Sequence, residues 1–471
     1  MCSNEWICEH PGCRTCGKEK GCGHAASTDT DPADSTSQME CAPWCSELSC
    51  WAPACVGCFV VSCRDEPLQD LAQYWAEGNQ LFTNAFRSEG FTGNRQELLL
   101  KGISWHGLEQ EQCAVGGLLS APLDDYATFL KQSGFNAVLV PLAADLITSE
   151  AHGAGAGCTA PASTYNPEYT GLKYTDQIER LVTTLRNAGL LVMLQLHGLS
   201  AGDTIGGVPH LDDLLKHGDR TKQLLMSSWD LLAIRFCDSS KFWNVFGADL
   251  KGSPWGMRWG APKTGLPLTT DDSEGWAALA ASIGGVVHAA CPRWVVAVEA
   301  LVADSERAAG GSPWDSDLSV ARTQPVRLLD RSPAGEIDVS SRKVIYSPTS
   351  YGPAVRGMDG GGTRTQDELW AQWDSLFGRL ASSGTAALVV GAWGGSLAEA
   401  DGAWQRSFSS YLASRPFAGS FYLAMNPEVQ VAGSRDGLPQ EGLLKSWRPP
   451  LEVDLSSEWD LRGSVWDLSG I

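Results

Sequence analysis

The chain has 471 residues, of which 43% are apolar, and a formal net charge of −20. This length allows one large domain or two, with enough apolar residues for a sizeable core. The acidic balance argues against nucleic acid or an anionic membrane as the main partner, because both bind clustered Lys and Arg. No apolar run approaches the roughly 20 residues of a membrane-spanning helix, so we expect no membrane span.

The N-terminal region is rich in cysteine, with 11 of the 15 cysteines in the first 63 residues. Two runs have nearly the same spacing, namely Cys8, Cys13, Cys16 and Cys22, and Cys50, Cys55, Cys58 and Cys63. We interpret residues 1–24 and 41–65 as two copies of one small module, the first of them incomplete. The intervening residues 25–40 are rich in Ser, Thr and Asp, which is typical of a flexible linker.

Two kinds of cross-link are compatible with these modules. Disulfides would stabilise a unit too small for a hydrophobic core, and they form in oxidising compartments. Zinc could instead bind the close pairs Cys13–Cys16 and Cys55–Cys58, although a structural site normally combines two such pairs at a longer interval. We favour disulfides and expect an extracellular or secretory-pathway protein. The start lacks a signal peptide, which an incomplete N-terminus would explain. The modules are expected either to bind polysaccharide or to act as spacers and protein contacts.

Residues 66–471 form the main domain. Leu68 to Phe86 has apolar residues at helical spacing, and from about Leu98 onwards apolar runs alternate with helical patterns. The expected strands are Leu98–Gly102, Asn136–Pro141, Gly189–Leu196, Val245–Leu250, Trp294–Leu301, Val344–Tyr346, Ala387–Val390 and Phe421–Met425.

Eight apolar strands between helices predict an α/β fold with a parallel sheet covered on both faces. A closed eight-stranded (β/α) TIM barrel fits this count. An open doubly wound sheet is the alternative, but no glycine-rich phosphate loop follows an early strand. No cofactor and no metal site are expected.

Six of the expected strand regions carry recognisable motifs. The first three are Leu100–Trp105, Gly134–Val138 and Leu194–His197. The fourth, sixth and eighth are Trp229–Phe236 with Asn244–Leu250, Tyr346–Pro353 and Phe421–Pro427. In this order the motifs resemble glycoside hydrolase family 5, the cellulase or endoglucanase type. The resemblance covers roughly residues 66–450 and implies the barrel fold.

The resemblance also implies a pair of catalytic glutamates, one an acid/base and the other a nucleophile. The acid/base belongs to an Asn-Glu-Pro motif, which reads Gly252-Ser253-Pro254 in this chain. The nucleophile belongs to a Gly-Glu-Phe-Gly motif, which reads Gly391-Ala392-Trp393-Gly394. Ser253 and Ala392 therefore occupy the two glutamate positions, and we expect no normal retaining hydrolysis.

Other family positions also differ. The arginine of the second strand is Leu139, the histidine of the sixth is Thr349 and the tryptophan of the eighth is Leu423. Only His197 and Tyr351 match the polar set. Nearby acids that could substitute are Asp249, Glu299, Glu399 and Asp401.

Three functions remain open at this point. The first is a non-hydrolytic family 5 homologue that binds β-glucan or a related polysaccharide through His197, Tyr351, Trp255 and Trp393, with either sugar stacking or packing as the role of the tryptophans. The second is an active, divergent glycosidase that uses other carboxylates. The third is a surface or scaffold protein without sugar affinity.

Overall fold

The computed structural model describes residues 72–84, 95–153, 158–202, 204–205, 208–209, 218–254, 259–260, 275–302, 316–332, 335–353, 364–395, 399–427 and 442–451. The chain divides into two units, Met1–Gln69 and Asp70–Ile471, and all of these residues belong to the second. The expected modules at 1–24 and 41–65 and the linker at 25–40 lie outside the described residues.

The strands are numbered in chain order. They are β1 (Tyr74–Glu77), β2 (Gln80–Thr83), β3 (Gln96–Leu98), β4 (Leu100–Ser104), β5 (Ala137–Ala143), β6 (Leu191–Gly198), β7 (Thr204–Ile205), β8 (Val208–Pro209), β9 (Val245–Asp249), β10 (Val295–Glu299), β11 (Leu301–Val302), β12 (Ser316–Asp317), β13 (Leu329–Ser332), β14 (Gly335–Asp338), β15 (Val344–Ser347), β16 (Thr349–Tyr351), β17 (Ala387–Gly394) and β18 (Gly419–Tyr422).

The α-helices are numbered in the same way. They are α1 (Leu123–Gln132), α2 (Ala144–Ala151), α3 (Tyr174–Asn187), α4 (Gly218–Phe236), α5 (Ser239–Phe242), α6 (Trp276–Ala290), α7 (Ser340–Lys343), α8 (Gln366–Trp373), α9 (Arg379–Ser382) and α10 (Glu399–Ser414). Short 3₁₀-helices cover Pro167–Tyr169 and Ser319–Arg322, and a short π-helix covers Asp374–Gly378. No helix among the described residues is long and apolar enough to cross a membrane.

A closed parallel barrel forms the centre of the domain. Its strands follow the order β4, β5, β6, β9, β10, β15, β17, β18, and β18 pairs with β4 to close the ring. The sixth barrel strand is interrupted at Pro348 and consists of two parts, β15 and β16. The first part, β15, pairs with the start of β17, and the second part, β16, pairs with its end. The predicted TIM barrel and its eight strands are confirmed.

Alternation along each strand produces two apolar layers. Side chains such as Leu100, Leu139, Met193 and Ile345 pack along the barrel axis. The intervening side chains pack outward against the helices in a second, larger core. This double burial explains why the strands read as continuous apolar runs in the sequence.

The expected helix over Leu68 to Phe86 is wrong for Tyr74–Thr83, which form the antiparallel strands β1 and β2. Gly78, with a φ of +61°, provides the turn between them. Tyr74, Ala76 and Leu81 belong to the same apolar cluster as the residues on the barrel axis. Burial alternates along β1, whereas Leu81, Phe82 and Thr83 of β2 are all buried. Packing against the barrel core therefore decides the conformation of this segment.

Candidate functional site

A buried polar layer lies where the apolar barrel interior ends. Gln195 on β6, Asp249 at the end of β9 and Glu299 at the end of β10 are all buried. Gln195 Nε2 donates to Asp249 Oδ2 at 2.9 Å and to Glu299 Oε1 at 2.8 Å. One amide nitrogen thus connects two carboxyl groups from neighbouring strands.

The two carboxyl groups interact with each other, Asp249 raises the resistance of Glu299 to ionisation, and Asp249 Oδ1 is buried without a hydrogen-bond partner among the described residues. Burial raises the pKa of Asp249 to about 6, although interactions with Glu299 and Gln195 oppose the rise. Burial, together with the neighbouring Asp249, raises the pKa of Glu299 well above its usual value. Such a pair holds at least one proton near neutral pH, because two adjacent carboxylates in a dry site repel each other.

Lys251 places a positive charge beside this acid pair. Its Nζ is buried and donates to His197 O and Gly252 O, both at 2.6 Å. The charge of Lys251 counteracts the rise in pKa of both acids. The Lys251 ammonium group therefore offsets part of the negative charge of the acid pair.

The loop after β9 is held by Glu299. The Ser253 backbone N–H donates to Glu299 Oε2, and Ser253 has a φ of +46°. On the other side, a Cβ on Gly391 would lie 3.7 Å from Glu299 Oε1. The Glu299 carboxyl therefore lies between Ser253 and the Gly391–Ala392 segment of β17.

The residues predicted to bind sugar have different surroundings. His197 is half-buried on β6, with Nδ1 3.0 Å from Gln195 Oε1. Tyr351 is buried at the end of β16, and burial raises its pKa. Trp393 is 2% exposed and donates to Ser420 Oγ while packing edge-on to Tyr422. Trp255 lies outside the described residues.

The remaining family positions line the barrel or its mouth. Leu139 and Thr349 are buried on β5 and β16, while Ala392 and Leu423 are half-buried. Thr349 and Ala392 are directly paired across β16 and β17. Glu399 and Asp401 begin α10, but the positions of their side chains are not described.

Two residues of this layer were missed from the sequence. Gln195 lies two positions before His197 on the same strand, so their side chains face the same way. Lys251 lies two positions after Asp249, which gives the same signal. Reading each strand end in steps of two would have identified both residues.

Comparison with known proteins matches residues 91–426 to Cellulase (glycosyl hydrolase family 5). The chain is 25% identical over 382 residues to an endoglucanase of Paenibacillus polymyxa, an alignment that covers 79% of this chain and 83% of the relative. It is also 25% identical over 343 residues to the major extracellular endoglucanase of Xanthomonas campestris pv. campestris, covering 71% of this chain and 63% of that relative.

Solved structures show the same fold. A cellotetraose complex of an endocellulase from Pyrococcus horikoshii superimposes with a TM-score of 0.60 at 24% identity, covering 79% of this chain and 93% of that one. The catalytic domain of the major endoglucanase from Xanthomonas campestris gives 0.60 at 21% identity, with coverages of 80% and 96%. Because the family match spans most of the chain and agrees with the barrel, this chain belongs to glycosyl hydrolase family 5, the cellulase family.

Proposed function

We propose that this chain binds β-linked glucan in the mouth of its barrel without hydrolysing it by the retaining mechanism of the family. The first support is sequence similarity, since the similar proteins are endoglucanases and the structure of the Pyrococcus horikoshii endocellulase was solved with cellotetraose. The second support is the chemistry of Ser253 and Ala392, the two positions on either side of Glu299.

The observation that carries the proposal is the identity of these two positions. Retaining hydrolysis needs one carboxyl to protonate the leaving oxygen and a second to attack the sugar. The serine hydroxyl at 253 is a poor general acid, and the methyl group at Ala392 has no nucleophilic atom. Binding needs only shape, stacking and hydrogen bonds, so it survives these replacements more readily than turnover does.

The alternative of an active, divergent glycosidase would need other carboxylates. Asp249 and Glu299 end neighbouring barrel strands, but both are buried and both accept from the same Gln195 nitrogen. Retaining enzymes separate their carboxyl groups by about 5–5.5 Å and inverting enzymes by about 6.5–9.5 Å, with the sugar between them. Two buried carboxyls that are joined through one amide nitrogen leave no room for a glycosidic bond between them.

The acid pair carries less negative charge than two free carboxylates would. Burial raises the pKa values of Asp249 and Glu299, and the Lys251 ammonium group lies beside them. This arrangement fits an uncharged polysaccharide as the ligand. His197 and Tyr351 are the residues that we propose for hydrogen bonds to sugar, and Trp255 stays a predicted stacking residue. For Trp393 we propose the packing role, because its ring is buried against Phe408 and Tyr422.

The first experiment measures reducing-sugar release on soluble β-1,4-glucan, mannan and mixed-linkage glucan. We expect no release by the natural chain. A Ser253→Glu, Ala392→Glu double variant restores both carboxyl groups, and a Ser253→Gln, Ala392→Gln variant controls for side-chain size. Activity only in the glutamate variant would show that the barrel mouth still positions a sugar for hydrolysis and lacks only the two carboxyl groups. Turnover by the natural chain would instead establish the divergent-glycosidase alternative.

The second experiment tests binding itself, because a scaffold protein without sugar affinity is the other alternative. Equilibrium pull-down with insoluble β-glucan, followed by titration with cellotetraose, measures the affinity. We expect the His197→Ala variant to bind at least several-fold more weakly, while a surface variant such as His152→Ala keeps the natural affinity. No binding by the natural chain would favour the scaffold function.

Secretion belongs to the same proposal. Cys113 pairs with Cys158, and Cys237 pairs with Cys291. Disulfides persist in oxidising compartments, and one relative is described as an extracellular endoglucanase. We propose that the chain acts outside the cell, where the cysteine-rich segments 1–24 and 41–65 contact polysaccharide or other proteins. Peptide mapping of the secreted protein without reduction would test the two pairs and would assign those of the first 63 residues.

A further inference from the structure

A second set of polar residues lies at the end of the first barrel strand, apart from the acid pair. His106 Nε2 lies 3.1 Å from Ser104 Oγ, and His106 Nδ1 lies 2.8 Å from Glu109 Oε1. Glu109 Oε2 accepts a further bond from the Gly107 N–H at 2.8 Å. A hydroxyl, an imidazole and a carboxylate are thus connected in series, all three within six residues.

The strand geometry explains this arrangement. Leu100 packs along the barrel axis, and alternation directs Ser104 and His106 the same way, whereas Ile103 and Trp105 join the outer core. The main chain beyond β4 is fixed by Asn426, whose Oδ1 accepts from the His106 N–H at 2.9 Å. The imidazole of His106 stands perpendicular to that of His197, with 6.1 Å between ring centres.

The hydrogen bonds also assign the tautomer of His106. Burial opposes ionisation of Glu109, but the His106 and His197 rings and the Gly107 N–H outweigh it, so the pKa of Glu109 lies below its usual value. The ionised carboxylate accepts the proton on Nδ1, so that Nε2 is the acceptor whenever the ring carries one proton. The Ser104 hydroxyl has two acceptors within reach, His106 Nε2 at 3.1 Å and Tyr422 O at 3.4 Å. Donation to the nearer Nε2 is the orientation in which a histidine acts as a general base.

We propose that Ser104, His106 and Glu109 form a nucleophilic site for small acyl esters, such as O-acetyl groups. A nucleophile within hydrogen-bond reach of a base, itself oriented by a third group, is the recurring arrangement of acyl transfer. It lies at the end of the barrel where catalytic residues of this fold are found. The size limit follows from burial, because Ser104 is 1% exposed and His106 is 9% exposed.

The reaction balances without a cofactor. Ser104 Oγ attacks the ester carbonyl while His106 Nε2 takes the hydroxyl proton, and an Oγ–acyl bond forms. The bond between the acyl carbon and the alcohol oxygen breaks, and His106 returns the proton to that oxygen. Water then attacks the acyl-serine with His106 again as the base, which releases the carboxylic acid and restores the Ser104 hydroxyl. Glu109 stays ionised and orients the ring throughout.

The test uses the full chain with p-nitrophenyl acetate and an acetylated cello-oligosaccharide, measuring acetate release. In parallel, a fluorophosphonate probe traps the activated serine, and peptide mass mapping locates the adduct. We expect an adduct on Ser104 and acetate release that Ser104→Ala abolishes. His106→Phe should lower the rate by about 10²–10⁴-fold, the usual contribution of a general base.

Controls separate chemistry from misfolding. Glu109→Gln keeps the size of the side chain and should reduce both labelling and acetate release at an unchanged melting temperature. His152→Phe and Ser282→Ala change residues outside the barrel mouth and should behave as the natural chain. The proposal is overturned if Ser104 is not labelled, or if Ser104→Ala releases acetate as fast as the natural chain. Either result leaves the glucan-binding proposal untouched, because that proposal depends on separate binding measurements.

Discussion

The backbone N–H of Ser253 donates to the Glu299 carboxyl at 2.5 Å, although 46 residues separate them in the chain. This bond fixes the loop after the fourth barrel strand to the end of the fifth. Glu299 in turn accepts from Gln195 Nε2, the nitrogen that also donates to Asp249. The position that we predict for the family's acid/base is therefore held by the Glu299 carboxyl.

The first prediction concerns the pH dependence of stability conferred by the acid pair. Both acids have folded-state pKa values above their ordinary ones, that of Asp249 being about 6. Their favourable contribution to the free energy of unfolding is complete below the unfolded-state pKa values near 4. It is lost as the pH rises through the folded-state pKa values. We expect the melting temperature to fall between pH 4.5 and 7.5 in the natural chain.

Asp249→Asn removes one of the two titrating groups, and its amide can still accept from Gln195. Its melting temperature should fall less over the same pH range and should match or exceed that of the natural chain at pH 7.5. Glu336→Gln, at an exposed position, controls for the loss of one carboxyl. A parallel fall in Asp249→Asn and the natural chain would contradict the raised pKa values of the acid pair.

The second prediction concerns Lys343, which attaches the N-terminal hairpin to the barrel. Its Nζ donates to Tyr74 O at 2.8 Å, and burial, with Arg342 and Arg293 nearby, lowers its pKa to about 7. Because the unfolded chain holds this proton up to about pH 10.4, folding becomes more favourable as pH rises from 7 towards 10. The urea denaturation midpoint, measured between pH 7 and pH 10, should rise less in Lys343→Met than in the natural chain. The midpoint of Lys241→Met, at an exposed site, should change with pH as in the natural chain.

The third prediction concerns Arg293, a buried cation that satisfies main-chain oxygens instead of pairing with an acid. Its guanidinium donates to four carbonyl oxygens, those of Phe236, Cys237, Phe242 and Val245. Removing a buried partner leaves such acceptors unsatisfied at about 1–3 kcal/mol each. Arg293→Met should therefore lower the free energy of unfolding by more than about 3 kcal/mol, measured by urea denaturation. Arg327→Met, at an exposed position, should change it by less than about 0.5 kcal/mol.

The sequence predicted the barrel because strands buried on both faces are apolar throughout, as in Leu191–Gly198. It failed at Tyr74–Thr83, where short strands contain apolar residues that also fit helical spacing, and where the Gly78 turn was overlooked. The interactions of the site depend on contacts between strands: Gln195 meets Asp249 and Glu299 only after the sheet closes. Ser104, His106 and Glu109 were readable in principle, because residues 104 and 106 share a face of one strand end.

The last prediction concerns Gly252, which we predict to occupy the position of the family's asparagine. A Cβ at this position would lie 2.7 Å from His197 Nδ1 and 2.9 Å from Gln195 Cδ. The space for a side chain is thus occupied by the His197 ring and by the amide that connects the acid pair. Gly252→Asn should therefore destabilise the fold by about 1–3 kcal/mol through overpacking. Shortening the neighbour should relieve this, so Gly252→Asn with Gln195→Ala should be destabilised by less than the sum of the two single variants. A thermodynamic cycle from urea denaturation measures this coupling, and additive effects would show that Gln195 does not occupy the place of the missing asparagine.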